Sequence, residues 1–109
     1  MTERANLSSG ATEFSYSDGP LLLYGSVSKS TESVQARIHV EVPGEEEPET
    51  REIKGGFAEG IGWDVDRVVV MKGRFMLYPK NGNELRFRYN VSSIHRSLNL
   101  NKDVKIMDL

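Results

Sequence analysis

Strict alternation of apolar and polar residues over 34–42 is the feature that most constrains the fold of this chain. The segment reads VQARIHVEV, and such a period-two pattern is typical of a half-buried β-strand. Shorter alternating segments, separated by Gly, Pro, Asp and Asn, follow one another through the chain. No segment of useful length has the 3.6-residue period of a helix, so parallel βαβ units are excluded.

Turn signals recur near residues 18, 30, 44, 81 and 101 of the 109 residues, and their spacing supports a fold of about seven or eight short strands. This spacing predicts an all-β fold, either an antiparallel β-sandwich (jelly-roll-like) or a flattened β-barrel. The length fits one domain of ordinary size. Residues 1–11 are small and polar, which predicts a flexible N-terminal arm, and residues 12–109 are predicted to form a single β domain.

The composition excludes several classes of site and location. The chain has no cysteine, so disulfides, thiolate metal sites and cysteine nucleophiles are absent. The first residues lack the apolar stretch of a signal peptide, and no apolar run approaches the length of a membrane span. These features favour a soluble, cytoplasmic protein without a membrane span, although they do not determine the compartment.

An Asn-Gly pair at 81–82 lies between two alternating segments, 68–78 and 84–92, and predicts a β-hairpin. A two-residue loop would mix core and solvent residues on one face. A three-residue loop of 80–82 separates the faces, and it places Gly82 at the left-handed position of a type I turn with a G1 bulge. In that register Leu77 faces Leu85 and Phe75 faces Phe87, and these four residues are predicted to build the core.

The other face of the predicted hairpin is basic. The same register places Arg74 opposite Arg88, and two arginines in this position repel each other unless an anion lies between them. Arg74, Arg86, Arg88 and Tyr78 are therefore candidate binding residues for an anion or a nucleic acid. Aromatic platforms for base stacking are mostly missing, because the other aromatic residues of the hairpin take the core face, and this weakens the nucleic-acid hypothesis.

Charge is distributed unevenly along the chain. Residues 1–66 carry 5 basic and 13 acidic residues, whereas residues 67–109 carry 9 and 3. Such asymmetry is a feature of chains that bind an anionic partner. The favoured interpretation is compensation inside the fold, with Glu41, Glu52 or the acidic loop at 43–49 beside the arginines. The sequence leaves both interpretations open.

In residues 51–63, bulky side chains occupy one set of alternate positions and mostly glycine occupies the other set. The two sets would lie on opposite faces of a strand. Clustered glycines indicate a bend or bulge, or a ligand lying on the bare face. Glu59, Trp63 and Asp64 are candidate residues for a small enzyme or ligand-binding barrel, which requires a concave pocket lined by all three. A further segment, residues 21–27, is apolar at both parities and is expected to be covered on both faces.

No catalytic constellation or metal- or cofactor-binding motif is present, because neither His39 nor His95 is paired with a nucleophile by any defensible spacing. The predicted function is a non-catalytic binding module that recognises a protein or carbohydrate through loops or a sheet face, and an enzyme is less favoured. Anion or nucleic-acid binding and the small ligand barrel are the alternatives. A homo-oligomer is a further hypothesis, since Val68, Val70 and Met76 leave the arginine face partly apolar.

Overall fold

The computed structural model describes residues 11–56, 58–67 and 70–109, and eight antiparallel strands lie in these ranges. They are β1 (Ala11–Asp18), β2 (Leu21–Ser28), β3 (Ser33–Val40), β4 (Glu49–Gly56), β5 (Ile61–Arg67), β6 (Met71–Lys80), β7 (Glu84–Ser92) and β8 (Leu100–Asp108). A 3₁₀-helix, Arg96–Leu98, precedes β8. The strands form two four-stranded sheets, an N-terminal sheet of β1–β4 and a C-terminal sheet of β5–β8. The all-β prediction is confirmed, and the arrangement fits a β-sandwich.

Connectivity in both sheets is simpler than that of a jelly roll. Neighbouring strands follow chain order throughout, as in a meander, because each turn returns the chain beside the strand it has just left. The sandwich therefore lacks the Greek-key connectivity of the jelly-roll-like variant. Most of the predicted N-terminal arm, residues 1–10, lies outside the described residues, and Ala11 is already the first residue of β1.

The core lies between the two sheets and is built from alternate residues of each strand. Fully buried side chains come from both layers: Leu21, Leu23, Val27, Ile38 and Val40 from the N-terminal sheet, and Met71, Phe75, Leu77, Leu85, Phe87 and Tyr89 from the C-terminal sheet. The predicted core face of the hairpin is thus confirmed. Burying one such large apolar side chain contributes about 1.5–3 kcal/mol, so these alternating positions dominate the stability of the fold.

A buried tyrosine joins the two sheets by hydrogen bonds. The Tyr89 hydroxyl donates to Asp18 Oδ2 at 2.6 Å and accepts from the Tyr16 hydroxyl at 2.7 Å. Lys102 Nζ lies 3.5 Å from the same carboxylate oxygen. Burial is the main cause that raises the pKa of the Tyr89 phenol, and the hydrogen bond to Asp18 raises it further. This group fixes β1 against β7 and β8, so the relative position of the sheets is set by polar as well as apolar contacts.

The hairpin turn differs from its prediction. Asn81 and Gly82 both have positive φ, 57° and 73°, which is the signature of a type I′ turn rather than a type I turn with a G1 bulge. Lys80 pairs with Glu84, Leu77 with Phe87 and Phe75 with Tyr89. The predicted register is therefore wrong by two residues. A shift of two leaves every side chain on its own face, and for that reason the core prediction survives.

Two other segments depart from the sequence-based interpretation. The predicted strand pair around 101–103 is one continuous strand, β8, because Asn101 and Asp103 face Asn90 and Arg88 of β7 in favourable polar pairs. The glycine-rich stretch at 51–63 is not one strand either. The chain turns at 58–60 between β4 and β5 and thereby passes from one sheet to the other, which agrees with the bend interpretation.

Among the described residues, no helix has the length and apolar character needed to cross a membrane.

Candidate functional site

The predicted basic residues share one surface, the outer face of the C-terminal sheet. Arg74 and Tyr78 lie on β6, and Arg86 and Arg88 lie on β7. In the observed register Arg88 faces Met76 and Arg74 faces Asn90. The predicted pairing of Arg74 with Arg88 is therefore wrong, because the three-residue loop is 81–83 instead of 80–82, which shifts every pair by two residues. No anion is needed to separate these two side chains.

Asp103 of β8 neutralises the centre of this face. Arg86 Nε donates to Asp103 Oδ1 at 2.8 Å, and Arg86 Nη2 donates to the Asp103 backbone carbonyl at 3.1 Å. The Tyr78 hydroxyl donates to the other carboxylate oxygen. Burial alone would raise the pKa of Asp103, but the hydrogen bonds from Tyr78 and Arg86 outweigh it and lower that pKa. The result is a linked Tyr–Asp–Arg group with no free charge at its centre.

The arginines of this face have further local partners. Arg86 Nη1 lies 3.0 Å from Glu84 Oε1, and Arg74 Nε lies 3.0 Å from Asp64 Oδ1. The Arg88 guanidinium lies over the Tyr78 ring, 5.2 Å from its centroid, a cation–π contact. The carboxylates that pair with Arg74 and Arg86 thus come from the same sheet, and not from Glu41, Glu52 or the acidic loop.

The acidic loop is engaged elsewhere. Arg67 at the end of β5 reaches Glu45 at 2.8 Å and Glu49 at 3.1 Å. The hydrogen bond from Arg67 lowers the pKa of the Glu45 carboxyl. Within the residues that the structure describes, no group of three or more histidine and carboxylate side chains is placed to hold a metal ion. This loop therefore ties the two sheets together at one end of the sandwich.

Glu59, Trp63 and Asp64 do not converge on one pocket. Glu59 is exposed in the turn between β4 and β5. Trp63 belongs to the buried core and stacks on Phe75, with ring centroids 5.3 Å apart. Asp64, the next residue, is exposed on the outer face of the same strand. Their side chains point in different directions, since neighbouring residues of a strand take opposite faces. The concave pocket that the ligand-barrel hypothesis requires is not formed by these three residues.

The residues suggested for a self-association surface do not all share the arginine face. Met76 is half-buried on the outer face of β6. Val70 packs against the core instead of sharing the arginine face, because it lies in the turn before β6 and not in a strand. Val68 lies outside the described residues. Of the two residues that the structure describes here, Met76 lies on the arginine face and Val70 does not.

The outer face of the N-terminal sheet carries a feature that sequence analysis missed, a groove of about 630 Å³ that crosses the strands. Its floor is the backbone of three paired residues, Phe14, Gly25 and Ala36. Two cross-strand rows of side chains stand on either side, about 7 Å apart because they are two residues apart along each strand. One row is Ser15, Tyr24, Arg37 and Glu52, and the other is Glu13, Ser26 and Gln35. We call this feature the Tyr24 groove.

The floor of the Tyr24 groove requires glycine at its centre. A Cβ built on Gly25 would lie 2.1 Å from the Gln35 carbonyl oxygen and 2.6 Å from the Ala36 Cα. No side chain fits at such distances, so β2 and β3 approach each other here only because residue 25 is a glycine. Gly25 therefore acts through the backbone, by permitting the close packing that forms the floor.

Tyr24 supplies the aromatic wall of the groove, and contacts with His39 order its side chain. Its ring stacks on the His39 ring, with centroids 5.4 Å apart and an angle of 14° between the planes. The Tyr24 hydroxyl and His39 Nε2 are 3.2 Å apart, and Thr50 Oγ1 lies 3.2 Å from His39 Nδ1. These contacts order a side chain that is 40 % exposed. The second face of the ring remains for a ligand.

The polar walls present donors and acceptors close to one another. Gln35 Nε2 donates to Glu52 Oε2 at 2.9 Å, and Arg37 Nη2 lies 3.8 Å from Glu52 Oε1. The Arg37 and Glu52 side chains are 47 % and 45 % exposed, so each keeps groups free for a ligand. An amide, a guanidinium and a carboxylate within one cluster can donate to and accept from neighbouring hydroxyls.

A sequence signal for this groove existed and was misread. The apolar character of residues 21–27 at both parities predicted a strand covered on both faces. In the structure Leu22 and Tyr24 are each 40 % exposed, so nothing among the described residues covers the outer face of β2. Tyr24 shares its face with Arg37 and His39 of β3. That alignment depends on the β2–β3 register, which the sequence pattern does not give.

Comparisons with protein-family models, with curated proteins and with solved structures give no match to this chain. Function must therefore be inferred from the geometry of the two outer faces.

Proposed function

We propose that this protein is a non-catalytic carbohydrate-binding module whose ligand lies in the Tyr24 groove. The observation that carries the proposal is the combination of one ordered, exposed aromatic ring with two rows of hydrogen-bonding side chains around a single groove. A sugar ring has apolar C–H faces and a rim of hydroxyls. The first suits the free face of Tyr24, and the second suits Gln35, Arg37 and Glu52.

The position of the groove favours a glycan over a peptide. Peptides that bind sheets usually add a strand at an edge, where backbone groups are unpaired. The Tyr24 groove crosses the middle of the sheet, and its floor is formed by residues already paired in the β1–β2 and β2–β3 ladders. A ligand here must be recognised by side chains alone. Its volume of about 630 Å³ is within the range of small-molecule sites.

The basic face is a weaker basis for function. Arg74 and Arg86 each have a carboxylate partner within 3.0 Å, and a polyanion would have to compete with those partners. The neutralised charges reduce the electrostatic attraction that usually drives binding to nucleic acid. For this reason the carbohydrate hypothesis is preferred to the anion hypothesis.

The proposal is tested by calorimetric titration of the protein with neutral hexasaccharides of glucose, mannose and N-acetylglucosamine. At least one of them is expected to bind, and Tyr24→Ala is expected to weaken that binding about tenfold, because stacking on an aromatic ring contributes about 1.4 kcal/mol. Tyr24→Phe should retain most of the affinity, since it keeps the ring.

Leu22→Ala is the matched control. Leu22 lies on the same strand and face and is equally exposed, at 40 %, but it does not line the groove. Its replacement should leave binding unchanged. If no hexasaccharide binds at millimolar concentration, or if Tyr24→Ala behaves like Leu22→Ala, carbohydrate binding in the Tyr24 groove is wrong.

A further inference from the structure

A second depression of about 510 Å³ runs parallel to the Tyr24 groove on the same face. Its walls are the row of Ser26, Gln35 and Lys54 and the row of Ser28 and Ser33, while Val34 and Gly55 lie between them. We call it the serine groove. Ser26 and Gln35 line both depressions, so the two grooves are neighbours that share one wall.

The shared wall is low on β2. Ser26 is among the smallest side chains, and the Gln35 amide is drawn towards Glu52, to which it donates at 2.9 Å. The wall therefore has a notch at Ser26, while the Gln35 side chain leans across the Tyr24 groove to Glu52 in the opposite row. A chain-like ligand can pass through this notch and lie along β2 and β3.

The serine groove presents hydroxyls in a partly ordered array. Ser28 Oγ and Ser30 Oγ lie 3.2 Å apart, and Thr31 Oγ1 and Ser33 Oγ lie 2.6 Å apart. Lys54 adds a charged donor at the β4 end. Among the residues that the structure describes, no aromatic side chain lines this groove, so these residues can hold a sugar by hydrogen bonds but offer it no stacking surface. We therefore expect it to add to affinity without binding a sugar tightly alone.

We propose that the ligand is a linear oligosaccharide that occupies both grooves, with one sugar against Tyr24 and the following units in the serine groove. This inference rests on the proposed function and extends it from a single sugar to a chain. The two grooves are related by a shift of two residues along the strands, about 7 Å, which is on the scale of one sugar unit and its linkage.

The test measures affinity against chain length, from one to six units, for the saccharide series that the hexasaccharide titrations identify. The dissociation constant is expected to fall at least tenfold between the monosaccharide and the tetrasaccharide. Ser33→Arg, which fills the serine groove, should reduce the affinity for the tetrasaccharide to that of the monosaccharide and leave monosaccharide binding unchanged. Ser28→Arg serves the same purpose if thermal unfolding shows that Ser33→Arg does not fold.

Ser17→Arg is the control for added charge, since Ser17 lies on the exposed face of β1 and lines neither groove. It should preserve the length dependence. Equal affinity for all lengths, or full tetrasaccharide affinity in a folded variant that fills the serine groove, overturns the two-groove inference while leaving the Tyr24 groove as a binding site. Absence of binding at every length overturns the proposed function itself.

Discussion

The two outer faces of this sandwich look alike in sequence and differ in structure. Each face carries arginine, glutamate or aspartate, and tyrosine on adjacent strands. On the C-terminal sheet the tyrosine and arginine are tied to one carboxylate, because Tyr78 and Arg86 both donate to Asp103. On the N-terminal sheet Tyr24 is held from behind by His39, and the Arg37–Glu52 pair is open at 3.8 Å. The comparison shows that the number of charges on a face says little about binding until their partners are known.

A difference in backbone accompanies the difference in side chains. The N-terminal sheet has its groove where Gly25 lets two strands approach closely, and the groove floor is the same row of residues. The C-terminal sheet has a similar close approach at Gly73, whose Cβ would lie 2.0 Å from the Asn90 carbonyl oxygen. A close approach of strands is thus common to both sheets, and it is the small and polar residues around Gly25 that line a groove there.

The largest effect is expected at Gly25. Gly25→Ala places a methyl group against the Gln35 carbonyl and should lower the free energy of unfolding by about 3 kcal/mol, through overpacking that the backbone of β3 cannot relieve. Urea unfolding measures this loss. Gly56→Ala, where the nearest atom is an ordinary 3.7 Å away, should change stability by no more than about 1 kcal/mol. Equal losses in the free energy of unfolding for the two variants would show that the close approach of β2 and β3, which forms the groove floor, does not depend on glycine at residue 25.

An intermediate effect is expected for Asp103→Asn, which removes the carboxylate at the centre of the C-terminal face. We expect a loss of about 1 kcal/mol at neutral pH, since the group is partly exposed. The pKa of Asp103 is lowered in the fold, so its contribution is present above the unfolded value near 3.8 and is lost as the pH falls below it. The stability difference between native protein and variant should therefore close between about pH 5 and pH 2.

Denaturant titrations across that pH range measure the difference, and binding of the oligosaccharide by Asp103→Asn should be unchanged. A stability gap that stays constant down to about pH 2 would mean that the Asp103 carboxylate is not what holds this face together. Loss of oligosaccharide binding would instead show that the two faces are coupled.

The smallest effect is expected at the edge of the same face. Arg74 and Asp64 are 61 % and 74 % exposed, so their ion pair is solvated and contributes little. Arg74→Ala should change the free energy of unfolding by about 0.5 kcal/mol or less, as measured by urea unfolding. A loss larger than that of Asp103→Asn would show that the ranking of these two pairs by exposure is wrong.

Much of the fold was predictable because it depends on local pattern. The alternation at 34–42 and in the hairpin predicted which side chains enter the core, and Phe75, Phe87 and Ile38 are fully buried. The two-residue error in the hairpin register left this result intact, since strand faces repeat every two residues. The turn geometry was misjudged because Asn81 adopts positive φ, a conformation that asparagine tolerates better than most residues.

The candidate site was not predictable in the same way. Tyr24, Arg37 and Glu52 belong to three different strands, and they form one row only through the β2–β3 and β3–β4 registers. The sequence analysis attended instead to the arginines of the hairpin, whose partner Asp103 lies on β8, a strand that was misassigned as two. Each omission concerned a pairing between strands.

The sequence by itself determined the class of fold, the strands near the hairpin and the face that each of their side chains takes, because these follow from alternation and turn residues within a few neighbouring positions. The tertiary structure alone decided which charges are neutralised and which remain open to a ligand. Those outcomes depend on register between strands and on the close approach at Gly25, where distances of a few ångströms between residues far apart in the chain separate an ion pair from a binding group.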